Sequence, residues 1–211
     1  MATKFWGPLG WMTLHSISCI YPENPTYEER VILEKFVELF RESITCPHCK
    51  GHFTSMLNSY RKKNPDWSAN RYQFFLFVCR AHNTVNKRLD KPIIPTIQDC
   101  ITSLKEATKV NSAGVYRNAY INYLIQNWSK EFTGDGAISL GFARQMKKIN
   151  EEYFNPRDKG FDSIFFFENG SVVEFIAEDP TRYNAGNNLP NAVYLPQVKV
   201  GFRNGRLRIN K

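Results

Sequence analysis

Apolar residues recur every three or four positions through the first half of the chain, which is the spacing of one face of an α-helix. Within 27–44 this pattern is carried by Val31, Leu33, Phe36, Val37 and Phe40. Prolines and capping residues mark where such segments begin and end. The pattern predicts a helix after Pro8, a second over 27–44, a third from Cys46, a fourth over 68–89 and a short fifth over 96–107. Short links between these helices predict a four-helix bundle plus a short fifth helix over 1–110.

The second half of the chain changes its pattern. Two further helical stretches, about 114–131 and 136–153, are followed by alternating apolar and polar positions, the period of a β-strand. The strand-like runs come in pairs around Asn169-Gly170 and Asn204-Gly205, and Asn-Gly suits a type I′ hairpin turn. We therefore predict a second domain over 111–211, of the α+β class, with two helices and about four antiparallel strands. No function is evident for it.

Composition and charge exclude several classes of protein. The 211 residues are 42% hydrophobic and carry a net charge of +8 that is spread along both halves. Nucleic-acid surfaces usually show clustered basic residues, so we expect no nucleic-acid partner. The longest apolar run, 74–78, is too short to cross a bilayer, and no signal peptide is evident at the N-terminus. We expect a soluble protein without a membrane partner.

The cysteines carry the candidate chemistry. Cys46 and Cys49 form a Cys-x2-Cys pair at a predicted helix start, where backbone N–H groups favour a thiolate and two thiols can close into a disulfide. Three interpretations remain open from the residues alone. Cys46 and Cys49 followed by Cys79 and His82 have the spacing of a zinc site. A thioredoxin-type oxidoreductase would need a β-strand before the motif, where a helix is predicted instead. The third interpretation is a flavin-linked thiol oxidase.

Several short motifs, in order along the chain, carry a resemblance to a known family. They are Trp6-Gly7-Pro8-x2-Trp11-x3-His15, Cys46-x2-Cys49-x2-His52-Phe53, Cys79-x2-His82-Asn83-x-Val85-Asn86 and Leu89-x-Lys91-Pro92. In this order and spacing, residues 5–100 resemble the Erv/ALR-family sulfhydryl oxidases. The presence of both a His-Asn-x-Val-Asn motif and a Cys-x-x-Cys pair is the most specific element of this resemblance.

The resemblance implies a helical bundle that holds FAD and roles for individual residues. Cys46 would meet the substrate thiol, and Cys49 would pass the electrons to the flavin and on to O2, giving H2O2. The implied cofactor-binding residues are Gly7, Trp11, His15, Cys49, His82, Asn83, Val85, Asn86, Lys87 and Lys91. The family pattern also pairs Cys79 with Cys100 as a structural disulfide, and no metal site is expected. Cys19 is left over and is expected to be a buried thiol.

The family's known members also imply partners and settings. Thiol-containing proteins would be the substrates, and a homodimer through the first helices is expected. Known relatives act between the mitochondrial membranes or in large DNA viruses. We favour a viral cytoplasmic or virion setting, because this chain carries no second Cys-x2-Cys pair and has an unfamiliar C-terminal part. It also departs from the family in having no aromatic residue between Cys100 and Tyr116 to cover the cofactor.

Overall fold

The computed structural model describes residues 3–158, 170–177, 199–203 and 206–210. Seven α-helices account for most of this part of the chain. They are α1 (Thr3–Ile20), α2 (Tyr27–Ser43), α3 (Pro47–Lys63), α4 (Arg71–Arg88), α5 (Ile97–Thr108), α6 (Ala113–Trp128) and α7 (Gly134–Ile149). The end of α7 continues through a π-turn, Asn150–Phe154, and a short 3-10 turn, Asn155–Arg157. The five helices predicted for the first half are all present.

Capping residues explain where several helices begin. Thr26 accepts a hydrogen bond from the backbone N–H of Glu29, whose carboxylate accepts one from the N–H of Thr26. This reciprocal pair satisfies two N–H groups that the first turn of α2 leaves without helical partners. Asn70 and Thr96 cap α4 and α5 in the simpler way, through one side-chain oxygen each.

Aromatic side chains hold the bundle together. Phe40 of α2 lies 5.3 Å from Phe53 of α3 and 5.2 Å from Tyr120 of α6, measured between ring centroids. Phe36 meets Phe154, beyond α7, edge to face at 5.1 Å. A fully buried aromatic ring contributes several kcal/mol of hydrophobic free energy, so contacts of this kind fix the helix order. One continuous core therefore joins α1–α4 with α6 and α7.

Arg117 is a buried charge that ties the C-terminal helices to α1. Its side chain has no exposed surface, and it donates to Asn150 at 2.9 Å, to Ser16 at 3.3 Å and to Asp158 at 3.4 Å. A buried guanidinium is tolerated only when its donors are paired, and these partners come from three separate segments. Arg117 thus fixes α6 against α1 and the end of α7.

The prediction of a C-terminal α+β domain with about four antiparallel strands is wrong. The structure places α6 against α1 and α7 against α2, as further layers of the same helical core. Residues 172–176 form no strand, although their apolar alternation predicted one. The described residues hold a single two-stranded hairpin, β1 (Lys199–Arg203) with β2 (Arg206–Asn210). The segment 163–167 lies outside the described residues. The domain boundary near residue 110 stays a prediction.

Residues 170–177 lie across α4 as an extended segment that we call the strap. Its backbone bonds to the start of α5, since Ile97 donates to Gly170 at 3.1 Å and Val172 to Pro95 at 3.0 Å. Further along, Ile176 donates to Thr84 at 2.9 Å. Val172 is fully buried, so burial in the core replaced the sheet pairing that its sequence pattern predicted. In the described part of the chain, no helix is both long and apolar enough to cross a membrane.

Candidate functional site

The Cys46–Cys49 pair forms a disulfide at the start of α3, with the two Cα atoms 5.2 Å apart. Cys46 is the N-cap, and its sulfur accepts a hydrogen bond from the backbone N–H of Cys49 at 3.2 Å. Pro47 occupies the first turn, where its missing N–H costs nothing. Both sulfurs are half-buried and lie against the main core. The arrangement presents a disulfide at the positive end of a helix dipole, which stabilises a thiolate when the bond opens.

The segment leading into the disulfide is held by α6. Trp128 donates its indole N–H to the carbonyl of Ser43 at 2.9 Å, and the Tyr123 hydroxyl lies 3.5 Å from that of Thr45. The C-terminal helices therefore position residues 43–45 directly before Cys46. Sequence reasoning missed this role, because these partners are about eighty residues apart and their segments share no motif.

A stacked pair of rings joins α1 to α4. Trp11 lies parallel to His82, with 4.4 Å between ring centroids and an interplanar angle of 10°. Nε2 of His15 lies 3.0 Å from Nδ1 of His82. Burial, together with the neighbouring charges of His15 and Lys91, lowers the pKa of His82 to about 3. His82 is therefore a neutral imidazole at physiological pH, able to offer one donor and one acceptor.

Asn83, which the family resemblance predicts to bind the cofactor, forms packing contacts in this structure. Its side-chain amide donates to the carbonyl of Ile94 at 2.7 Å and to that of Val172 at 3.1 Å, and its oxygen accepts from the N–H of Ile94 at 3.0 Å. Asn83 is 1% exposed. It thus links α4, the loop before α5 and the strap, and its hydrogen-bonding capacity is largely used there.

The remaining residues that the family resemblance predicts to bind the cofactor lie near the end of α4. The carbonyl of Asn86 accepts the backbone N–H of Lys91 at 2.8 Å, and the intervening Asp90 has a positive φ of 51° that turns the chain. The ammonium group of Lys87 lies 4.1 Å from the centre of the Phe175 ring in the strap. Lys87 and Lys91 are exposed, whereas Val85 is half-buried. Two cations therefore face solvent where α4 ends.

Gly7 marks an open surface on α1. A methyl group added at Gly7 would meet no atom within 4 Å. Gly7, Trp11 and His15 follow one another at four-residue intervals, so they share one face of α1. Trp11 is half-buried on this face and His15 is buried.

The second cysteine pair, Cys79 and Cys100, lies inside the molecule. Both side chains are buried as thiols, with their sulfurs 3.2 Å apart, and Nδ1 of His15 lies 3.8 Å from Cys100. A hydrogen bond from Cys79 lowers the pKa of Cys100, whereas burial raises the pKa of Cys79. Cys19 is buried in the same cluster, and burial raises its pKa.

The four residues of the alternative zinc interpretation are not assembled into one site. Cys46 is bonded to Cys49, Cys79 adjoins Cys100, and His82 adjoins His15. Among the residues that the structure describes, the one group of three or more metal-binding side chains is His15, Cys79 and Cys100.

Comparison with known proteins agrees with this geometry. Residues 9–109 match the model of the Erv1 / Alr family. An FAD-linked sulfhydryl oxidase of African swine fever virus (isolate Tick/Malawi/Lil 20-1/1983) is 36% identical over 89 residues, which cover 42% of this chain and 71% of that protein. The chain belongs to the Erv1/Alr family.

Other members of the Erv1/Alr family are longer than the matched region. FAD-linked sulfhydryl oxidase ERV1 of rice (Oryza sativa subsp. japonica) is 33% identical over 89 residues, covering 42% of this chain and 44% of that protein. FAD-linked sulfhydryl oxidase ERV2 of Saccharomyces cerevisiae is 32% identical over 100 residues, or 47% of each chain. The chain thus spans less than half the length of these two relatives.

Proposed function

We propose that this protein is an FAD-dependent thiol oxidase that forms disulfides in its substrates through Cys46 and Cys49. One observation carries the proposal: the half-buried Cys46–Cys49 disulfide at the N-terminus of α3, in a chain whose family relatives are named FAD-linked sulfhydryl oxidases. A reversible disulfide beside a helix N-terminus accepts electrons from thiols, because the leaving thiolate is stabilised there.

The residues between α1 and α4 fit FAD. Open space in front of Gly7 and the half-buried face of Trp11 suit a flat heterocycle, and the neutral His82 can hydrogen-bond to it. Lys87 and Lys91 are exposed residues whose positive charges suit a pyrophosphate. His15 is hydrogen-bonded to His82 and so fixes the position of that ring beside the cofactor. Asn83 supports the site by holding α4 against the loop before α5. Val85 and Asn86 are the other residues on α4 that are predicted to bind FAD.

The protein's own steps are thiol–disulfide exchanges. A substrate thiolate attacks the sulfur of Cys46, which breaks the Cys46–Cys49 bond and releases Cys49 as a thiolate at the helix start. A second substrate thiolate then attacks the mixed disulfide and releases Cys46, so that two electrons move from substrate to the protein pair. When bound, FAD supplies an acceptor for the electron pair held by Cys49 and transfers it to O2, which yields H2O2. The helix N-terminus stabilises each thiolate in turn.

Thiol-containing proteins are the proposed substrates, with O2 as the acceptor. Among the relatives are oxidases of African swine fever virus and the mitochondrial oxidase ERV1 of yeast. We propose a viral cytoplasmic or virion setting for this chain, with the mitochondrial intermembrane space as the alternative.

A homodimer through the first helices stays a prediction. Here α1 packs against α6 and α2 against α7 of the same chain, so part of the surface of the first helices is already covered. Light scattering after gel filtration measures the mass directly.

The proposed activity is tested on the purified chain expressed with ample riboflavin. We expect a yellow protein that releases FAD on denaturation, consumes O2 with dithiothreitol and produces H2O2 in a one-to-one ratio to O2. A colourless protein that consumes no O2 would contradict the proposal. Cys46→Ser serves as the matched control, because it should retain the colour and lose the O2 consumption.

A further inference from the structure

Two histidines stand side by side at the start of α3. His48 lies between the two cysteines of the disulfide, and His52 follows one helical turn later. Their Nε2 atoms are 2.9 Å apart, and their rings meet edge to face with 4.3 Å between centroids. His48 is exposed and His52 half-buried, so an ion can reach the pair from solvent.

We propose that His48 and His52 form a binding site for a divalent transition-metal ion at the edge of the Cys46–Cys49 disulfide. Imidazole nitrogen is a ligand that Zn²⁺, Ni²⁺ and Cu²⁺ all accept. Histidines at positions i and i+4 share one face of a helix, so both rings reach the same point in space.

The spacing of the two nitrogens fits a chelate. Two nitrogens 2.9 Å apart, each about 2.05 Å from a metal, subtend an angle of about 90°. This is the angle between neighbouring ligands in square-planar or octahedral sites, the geometry of Cu²⁺ and Ni²⁺. When an ion binds, the ring that carries its proton on Nε2 changes tautomer and carries it on Nδ1, so both Nε2 atoms have a lone pair for the metal.

The site adjoins the redox pair along the chain. Cys49 follows His48 directly and precedes His52 by three residues. In the oxidised protein the Cys49 sulfur is bonded to Cys46, so the two imidazoles are the ligands that this part of α3 offers an ion.

The nearest charged side chain on this part of α3 does not oppose an ion strongly. Lys50 forms an ion pair with Glu42 at 2.7 Å and also donates to the carbonyl of Glu42 at 3.2 Å. Its charge is thus balanced by the carboxylate of Glu42 on α2.

The test is a titration of the oxidised, full-length protein with Ni²⁺ and with Zn²⁺, followed by calorimetry. We expect one ion per chain and at least ~10-fold weaker binding in both His48→Asn and His52→Asn, because loss even of a group that only supports a ligand costs ~10–100-fold. Equal affinity in the wild type and both variants would overturn the proposal.

A gain-of-site variant provides the positive control. Gln98 and Thr102 are exposed at i and i+4 on α5, with their side chains 3.4 Å apart, far along the chain from the disulfide. The double variant Gln98→His/Thr102→His, placed in the His48→Asn background, should recover ion binding. If this variant binds Ni²⁺ whereas the wild type does not, the calorimetry works and the proposed site does not exist.

Discussion

The two cysteine pairs of this protein share a chemistry and differ in their surroundings. Cys46 and Cys49 stand at the start of α3, half-buried, joined to each other and close to solvent. Cys79 and Cys100 lie between α4 and α5 with less than 4% of each residue exposed. A disulfide can exchange electrons with a protein substrate only if a thiolate can reach it. The position at a helix N-terminus therefore favours exchange at the first pair, whereas burial between α4 and α5 shields the second pair from substrate thiols.

Removal of one cysteine from each pair should separate these roles most clearly. Cys49→Ser should lower kcat for O2 consumption by at least ~10³-fold. Cys46 and Cys49 act as a unit, so the loss of either cysteine removes the function of both. Cys100→Ser should reduce kcat by less than ~10-fold. Steady-state O2 uptake with dithiothreitol measures both. Equal losses in the two variants would contradict the division of roles.

The buried pair should contribute mainly to stability. Cys79 and Cys100 lie here as thiols, and the disulfide that the family resemblance implies for them would close a loop of about 20 residues, for which loop entropy predicts about 3 kcal/mol. The double variant Cys79→Ser/Cys100→Ser should therefore unfold with a free energy lower by about this amount in guanidinium chloride. The matched control is Cys19→Ser in the same cluster, which closes no loop. A double variant as stable as the wild type would show that the pair remains as thiols.

Asn83 also connects α4 to the loop before α5. Asn83→Ala removes three hydrogen bonds to Ile94 and Val172, at a cost of about 2 kcal/mol. We expect this loss in chemical denaturation, together with weaker retention of FAD measured by flavin fluorescence. An unchanged stability with lost flavin would instead assign Asn83 to direct cofactor contact.

His82, which adjoins His15 beside the buried cysteines, should make the stability of the protein depend on pH. His82 has a pKa of about 3 in the folded protein and an ordinary value of 6.5. The unfolded chain therefore binds more protons between these values, so stability is complete above pH 6.5 and falls as the pH decreases toward 3. The slope is at most ~1.4 kcal/mol per pH unit. His82→Gln should have a shallower slope from pH 6 to 4 in denaturation curves, and an identical slope would contradict the lowered pKa.

Much of the helical core and of the reactive pair could be predicted from the sequence. Thr26 with Glu29, and Pro47 after Cys46, are local signals, and the helices begin where those residues placed them. The family motifs named Trp11, His15 and His82 as cofactor-binding residues, but neither the motifs nor their spacing predicted that Trp11 stacks on His82 and that His15 lies beside it.

The incorrect structural predictions concern residues whose contacts with distant parts of the chain outweigh their local sequence pattern. Residues 172–176 alternate like a strand, but Val172 and Ile176 instead enter the core beside α4. Arg117 reads as an ordinary surface residue in the sequence, and its burial depends on Ser16, Asn150 and Asp158. Such long-range pairings leave no periodic signal in one sequence.

Anaerobic reduction of the bound flavin tests the central claim most directly. Under argon, one equivalent of dithiothreitol should bleach the flavin absorbance of the wild type and of Cys100→Ser. Cys49→Ser should stay yellow, because its electrons have no route from substrate to flavin. Bleaching of Cys49→Ser at the wild-type rate would contradict the account, since the flavin would then be reduced without the Cys46–Cys49 pair.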